Sequence, residues 1–340
     1  MSTSVREILF GGIVSVVFAF SNTAALAQTG IDEVDITPRA KLVDVASAAY
    51  GSGSPARFAT ASLIRTSVNL VLVPVTITDD QNHPVIGLNQ DNFQIFEDKK
   101  PQEIKHFSSE DSPVSIGILV DTSGSMSYKL DEAREAVAQF CDAANPQDEF
   151  FLITFADEAR VATDFTTRTQ DITNELLTVS SRGQTALLDA IYMGIQKMRG
   201  ARYARRALLI LSDGGDNHSR YTEHDVKAAI KEADETIYSI GIFDHYVNTQ
   251  EESLGPELLR SIAEKTGGTA FTLSRLGEMP ALTRIIGVQL RHQYMLAYQP
   301  QSAPLDGKWH KLNVKLRLPK AFHNYFFHVG ARPGYYAGGE

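Results

Sequence analysis

Five side chains with oxygen donors lie in three short segments of the chain and could together bind a hard divalent cation. The carboxylates are Asp121 and Asp213, and the hydroxyls are Ser123, Ser125 and Thr185. Oxygen ligands of this kind suit Mg²⁺, with Mn²⁺ as a second possibility, and waters would complete an octahedron. No thiolate is at hand and no imidazole is required, so zinc and copper fit this donor set poorly.

The charges in this group indicate recognition of a partner and not storage of the ion. Hydroxyls are neutral, so only two carboxylates face a doubly charged cation. The ion therefore stays electrophilic and keeps one coordination position open or filled by water. An acidic side chain from another protein could take that position, whereas a cage built only of carboxylates would repel it.

The elements that must position these residues follow from the hydrophobic pattern. Nearly continuous apolar runs alternate with amphipathic segments, which predicts a doubly wound, mostly parallel α/β sheet with helices on both faces. The predicted strands are Ser115–Val120, Phe150–Phe155, Ala207–Leu211, Thr236–Ile242 and Ala270–Thr272, and the predicted helices are 130–144, 186–199, 222–233, 256–265 and 279–291. Asp121 and Asp213 follow two of these strands, so they should meet at the carboxyl edge of the sheet, where ligands of such sheets bind.

The α/β pattern is flanked on both sides by segments that read as β structure. The expected strands before it are Val68–Thr78, Phe93–Glu97 and Ile104–Phe107, and those after it are Gln293–Gln299, His310–Leu318 and Tyr325–Arg332. Each group is too small to bury a core alone. We therefore predict that they form one β-sandwich into which the α/β domain is inserted.

The resulting division of the chain has five parts. They are a signal peptide (1–27), a linker or weakly ordered tail (28–66), an N-terminal β segment (67–112), the α/β domain (113–292) and a C-terminal β segment (293–340) that pairs with the first.

The order and spacing of the five candidate ligands resemble the metal-ion-dependent adhesion site (MIDAS) of von Willebrand factor type A domains. The resemblance covers about Ser115 to His292, and flanking stretches such as Val73–Glu103 resemble secreted bacterial proteins that carry this domain. It implies a Rossmann-like, non-enzymatic adhesion domain that binds protein ligands through Mg²⁺. Ser123, Ser125 and Thr185 would be hydroxyl ligands, and the two aspartates would act directly or through water.

The N-terminus and the composition point to an exported protein. Arg6, the apolar run Ile8–Phe20 and the small residues Ala25 and Ala27 have the pattern of a cleavable signal, although retention as an anchor stays open. We expect a secreted, periplasmic or extracellular protein without membrane insertion after cleavage. A net charge of −9 gives no general attraction for nucleic acid or anionic membranes. Cys141, the single cysteine, is expected to be a buried small hydrophobe.

Three functions remain possible from the sequence. The leading one is an exported, non-enzymatic binding or adhesion protein that engages an acidic residue of a protein ligand through the metal ion. The alternative is a structural or assembly module of the cell envelope, in which the metal only braces the fold. A metal-dependent hydrolase is the third, but it needs a general base that no motif supplies.

Overall fold

The structure is a computed structural model of the 340-residue chain, and it describes residues 70–243, 250–273, 275–300, 307–319, 322 and 325–337. The predicted signal peptide and linker, residues 1–66, lie outside the described residues. The boundaries proposed at residues 67, 113 and 293 remain predictions.

The described chain begins with four strands. They are β1 (Val71–Thr78), β2 (Phe93–Glu97), β3 (Lys100–Gln102) and β4 (Ile104–Ser108). Asp98 and Lys99 join β2 to β3 with φ angles of 47° and 69°. Two consecutive residues with positive φ are typical of the tight turn that matches the twist of a hairpin.

The α/β part follows as six strands and six helices. The strands are β5 (Val114–Asp121), β6 (Glu149–Phe155), β7 (Ala159–Thr166), β8 (Arg205–Ser212), β9 (Thr236–Gly241) and β10 (Ala270–Thr272). The helices are α1 (Leu130–Asp142), α2 (Thr169–Thr178), α3 (Leu187–Met198), α4 (Glu223–Glu232), α5 (Gln250–Glu264) and α6 (Met279–Arg291). Short 3₁₀ turns lie at Gln90–Asn92, Gly124–Met126 and Leu276–Glu278.

The six strands form one sheet in the order β10-β9-β8-β5-β6-β7, and every neighbouring pair is parallel except β6 with β7. Every residue of β5, β6 and β9 is buried, which explains their continuous apolar sequences. Separate hydrophobic clusters cover the two faces of the sheet. The predicted doubly wound α/β class is confirmed.

Two elements of this part were not predicted, and one helix starts earlier than expected. Strand β7 is antiparallel and only partly buried, and α2 follows it directly. Their sequences lack the continuous apolar runs by which the central strands were predicted. The helix expected to begin at Pro256 begins at Gln250, so the proline lies inside α5 and not in its first turn. A proline removes one hydrogen bond from a helix interior but does not always end the helix.

The strands after α6 return to the N-terminal strands. They are β11 (Tyr294–Tyr298), β12 (Trp309–Leu316), β13 (His328–Ala331) and β14 (Gly334–Tyr336). One antiparallel sheet has the order β13-β1-β11-β4 and the other β14-β12-β2-β3. Residues of both sheets share a hydrophobic core that includes Val75, Ile95 and Leu296. The prediction that the flanking segments form a sandwich together is confirmed.

Within the described ranges, every helix falls short of the length and apolar character that a membrane span requires.

Candidate metal centre

Strand pairing brings the predicted ligand segments to one edge of the α/β sheet. Asp121 is the last residue of β5, and Asp213 directly follows β8, the parallel neighbour of β5. Thr185 lies two residues before α3. The strands run in the same direction, so both aspartates lie at their carboxyl ends, as the sequence analysis expected.

Asp121 is completely buried and held on both carboxylate oxygens. Its Oδ1 accepts the backbone N–H of Ser123 at 2.9 Å, and its Oδ2 accepts the hydroxyl of Ser212 at 2.6 Å. Burial and the nearby charge of Asp213 raise the pKa of Asp121 to about 7. The two carboxylates therefore lie close enough to repel each other in a site from which water is largely excluded.

The two serines meet directly. The hydroxyl oxygens of Ser123 and Ser125 are 3.0 Å apart. Neighbouring oxygens around an octahedral Mg²⁺ ion at 2.0–2.1 Å are also about 3.0 Å apart. Ser123 is buried, whereas Ser125 is exposed, so the pair runs from the carboxylates towards solvent.

The segment that carries Thr185 is joined to the serine segment through the backbone. Gly124 donates its N–H to the carbonyl of Gly183 at 3.0 Å. Gly183 has a φ of 80°, and a Cβ there would lie 2.5 Å from Asp157 Oδ2, so a larger residue would strain the backbone and displace that side chain. The N–H of Thr185 donates to Asn217 Oδ1 at 2.9 Å. The main chain of the buried threonine is thus held by Asn217, two residues after the glycine that bonds to the serine segment.

Asp213 has a cationic neighbour that the sequence analysis missed. The ammonium of Lys129 lies 3.4 Å from Asp213 Oδ2, and both side chains are at least 96% buried. Lys129 precedes α1 and also lies over the ring of Tyr128, at 5.2 Å from its centroid. The pair leaves Asp213 partly neutralised before any metal ion binds.

Three further residues position the candidate ligands, and sequence reasoning had not assigned them to the site. Ser212 links the two strand ends, because it donates to Asp121 and accepts the N–H of Gly214 at 3.0 Å. Asn217 holds Thr185, and Asp216 accepts the N–H of Leu188 at 3.1 Å in the first turn of α3. Their position directly after the Asp213 segment was the available signal.

The charges and spacing of the five candidate ligands fit a hard divalent cation. Two buried carboxylates repel each other, and two hydroxyls beside them have the spacing of neighbouring ligands. Burial first, and the charge of Asp213 second, raise the pKa of Asp121, and a cation beside these groups would oppose both effects. The five residues therefore suit Mg²⁺ or Mn²⁺ chemically.

Cys141 plays no part in this site. It is buried in the hydrophobic cluster under α1, and burial raises the pKa of its thiol to about 12. The thiol stays protonated at neutral pH. The prediction that it is a buried small hydrophobe is confirmed.

A family model described as "von Willebrand factor type A domain" matches residues 116–215. The chain contains a von Willebrand factor type A domain. The matched range begins in β5 and ends just after Asp213, so it includes all five candidate ligands.

Among curated proteins, the chain is similar to inter-alpha-trypsin inhibitor heavy chain 4 of Mus musculus, with 26% identity over 147 residues. This match covers 37% of the present chain and 16% of the mouse protein. The human heavy chain H4 is also 26% identical, over 135 residues, covering 35% of this chain and 14% of that protein. The chain therefore corresponds to about a sixth of these relatives or less.

Among solved structures, a von Willebrand factor type A protein from Catenulispora acidiphila is 13% identical, with a TM-score of 0.46. The match covers 78% of this chain and 74% of that one. BatB from Bacteroides thetaiotaomicron is 18% identical, with a TM-score of 0.42, and the match covers 52% of this chain and 98% of that one. The presence of the type A domain favours a role in protein interaction for this chain.

Proposed function

We propose that this protein is an exported, non-enzymatic binding or adhesion protein that engages an acidic residue of a protein ligand through a divalent cation. Asp121, Ser123, Ser125, Thr185 and Asp213 hold the ion, which is Mg²⁺ or, in its place, Mn²⁺. One observation carries the proposal: two buried carboxylates, of Asp121 and Asp213, lie at adjacent strand ends, next to a pair of touching hydroxyls that runs out to solvent.

The ion, when bound, supplies a positive centre that accepts a carboxylate oxygen from the partner protein. The residues around it keep their own negative charge low. Three of the five ligands are neutral hydroxyls, and Lys129 offsets part of the charge of Asp213. Little negative charge then faces the incoming carboxylate, so the partner meets attraction and not repulsion.

The contacts of the two aspartates favour recognition over the alternative role of the metal as a brace. Ser212 already holds Asp121, and Lys129 already pairs with Asp213. The segments are also joined through the backbone of Gly124 and Gly183. These contacts connect β5, β8 and the segment before α3 without an ion, so a brace would add little.

A non-enzymatic role is part of the proposal. The polar side chains that contact the two aspartates are already engaged within the protein. Ser212 donates to Asp121 and accepts from Gly214, and Lys129 is paired with Asp213. A hydrolase would need a general base held towards the ion. Sequence motifs supply none, and the contacts just described assign no group to that task.

Capture of a partner in the presence and absence of metal tests the proposal. The full chain is immobilised and incubated with solubilised cell-envelope protein in millimolar Mg²⁺, in chelator, and in Mg²⁺ with excess free acetate. We expect a partner that is retained in Mg²⁺ and released both by the chelator and by acetate, which competes as a carboxylate.

A Ser123→Ala bait is the matched control. It removes one hydroxyl ligand and retains the Asp121 and Lys129 contacts, so it should fold normally by circular dichroism and yet retain no partner. Binding that persists in chelator on a folded protein would support the assembly-module alternative and contradict recognition through the ion.

A further inference from the structure

A second cluster of ligand-type side chains lies on the β-sandwich, away from the α/β sheet edge. Glu97 is the last residue of β2, Asp98 begins the turn to β3, and His310 is in β12. One ligand atom from each lies within 4.8 Å of the other two. The cluster is formed by the pairing of strands whose residues are 212 positions apart in the chain.

Two distances within this cluster are hydrogen-bond lengths that lie close to the spacing of ligands around one ion. His310 Nδ1 lies 2.9 Å from Asp98 Oδ2 and 3.2 Å from Glu97 Oε1. Metal bonds of about 2.0–2.2 Å place neighbouring ligand atoms about 3.0–3.5 Å apart. The three side chains could therefore converge on one cation with small adjustments.

Neighbouring groups hold the two carboxylates in place. The hydroxyl of Tyr335 donates to Glu97 Oε1 at 3.1 Å, and the N–H of Lys311 donates to Asp98 Oδ1 at 3.0 Å. The ring of Tyr335 also stacks on the imidazole of His310, with centroids 5.6 Å apart. Contacts of this kind orient metal ligands in known sites.

The burial of Glu97 is a second observation that favours a cation in this cluster. The residue is only 3% exposed, and its Oε2 accepts no hydrogen bond from the part of the chain that the structure describes. A buried carboxylate oxygen without a partner is costly. A protonated His310 would give one positive charge against two carboxylates, and it contacts the other oxygen of Glu97.

We propose that Glu97, Asp98 and His310 bind a second divalent cation, of the class that combines imidazole and carboxylate ligands, with Zn²⁺ as the expected ion. Mixed nitrogen and oxygen donors favour zinc over magnesium, and water completes the coordination. The ion joins β2 to β12, so it fastens the N-terminal β segment to the C-terminal one. Its function is to stabilise the sandwich that carries the type A domain.

Zinc titration of the full chain in an Asp121→Asn background tests this proposal separately from the first site. The protein is stripped with chelator and desalted, and then Zn²⁺ binding is followed by calorimetry and thermal unfolding. We expect one equivalent of Zn²⁺ to bind and the unfolding midpoint to rise. His310→Gln and Asp98→Asn should each weaken binding about 100-fold or more and abolish the shift.

His83→Gln is the matched control for this experiment. His83 lies 3.3 Å from Asp79 on the surface, so it is a histidine–aspartate pair without a buried glutamate. This variant should bind Zn²⁺ as the background protein does. Absence of Zn²⁺ uptake, or uptake that the His310 and Asp98 substitutions leave unchanged, would overturn the proposal and leave an imidazole that pairs with two carboxylates.

Discussion

The two carboxylate clusters in this protein handle negative charge in different ways. At the edge of the α/β sheet, Asp121 and Asp213 are surrounded by hydroxyls and by the ammonium of Lys129. On the sandwich, Glu97 and Asp98 share one imidazole, from His310. Hydroxyls suit a hard ion that stays available to a partner, whereas an imidazole between carboxylates suits an ion that joins two strands.

The largest expected effect is the loss of Mg²⁺ binding on substitution of Asp121. Asp121→Asn removes a buried negative charge and keeps the size of the side chain, although its amide nitrogen cannot accept the hydroxyl of Ser212 as Oδ2 does. We expect Mg²⁺ affinity, in the micromolar to millimolar range for wild type, to fall by at least about 100-fold in calorimetry. The chain should stay folded, because relief of repulsion with Asp213 offsets the altered contact with Ser212.

Glu97→Gln is the control for this prediction, because it removes a carboxylate from the other cluster. It should leave Mg²⁺ affinity unchanged. Equal loss of Mg²⁺ binding in both variants would mean that the two clusters are not separate sites.

Another buried carboxylate, Glu235, belongs to neither cluster, and the charge of Arg206 offsets the effect of its burial only in part. It is 5% exposed just before β9, and burial, with a smaller effect of Asp234, raises its pKa to about 7. The folded state therefore keeps a proton that the unfolded state loses near pH 4.5, so this group makes stability fall as pH rises from about 4.5 to 7.

Glu235→Gln should remove this loss of stability. We expect the variant to equal wild type near pH 4 and to exceed it by up to about 3 kcal/mol at pH 8, measured by urea unfolding across the pH range. Glu232→Gln on exposed α4 is the control and should leave the pH profile as it is. An unchanged profile in Glu235→Gln would show that this carboxylate does not titrate as described.

Substitution of Lys129 should change Mg²⁺ affinity by a smaller factor. It tests the positive charge that the α/β cluster has and the sandwich cluster lacks in this form, since the latter contains an imidazole instead of an ammonium. Lys129→Met removes the positive charge 3.4 Å from Asp213 Oδ2. The site then carries more negative charge, so Mg²⁺ should bind about tenfold more tightly in calorimetry. Retention of an acidic partner should nevertheless weaken, because more negative charge faces it.

Lys197→Met is the matched comparison for this change, since Lys197 pairs with Asp164 elsewhere on the fold. It should alter neither measurement. Weaker Mg²⁺ binding in Lys129→Met would contradict the charge balance proposed here. It would mean that Lys129 mainly holds the side chain of Asp213 in position.

The smallest expected effect concerns the segment that carries Thr185. Asn217→Ala removes the acceptor of the Thr185 N–H but keeps every candidate ligand. A looser backbone should weaken Mg²⁺ binding several-fold, by about 1 kcal/mol. Thr173→Ala on α2 serves as the control. A loss as large as that of Asp121→Asn would indicate that Asn217 does more than position the threonine.

The sequence predicts some elements of the fold and some residues of the candidate site better than others. Continuous apolar runs identified β5, β6 and β8, and the aspartates at their ends followed from the rule for parallel sheets. Strand β7 was missed because it is antiparallel and only partly buried. The start of α5 was wrong because proline was taken as a first-turn residue, although α5 continues through it.

The two clusters illustrate the same limit at the level of side chains. Asp121 and Asp213 could be predicted because each lies at a strand end that the local pattern defines. Lys129 could not, because its contact with Asp213 spans 84 positions and depends on the packing before α1. Glu97 and His310 meet only when β2 pairs with β12 across the inserted domain, so no local pattern could bring them together.

The most direct test of the central claim is a crystal of the full chain soaked in Mn²⁺ and measured at the manganese absorption edge. We expect one anomalous peak within bonding distance of the hydroxyl oxygens of Ser123 and Ser125, next to Asp121 and Asp213, with a water ligand on the solvent side. A well-ordered site without that peak, with Lys129 still paired to Asp213, would contradict it.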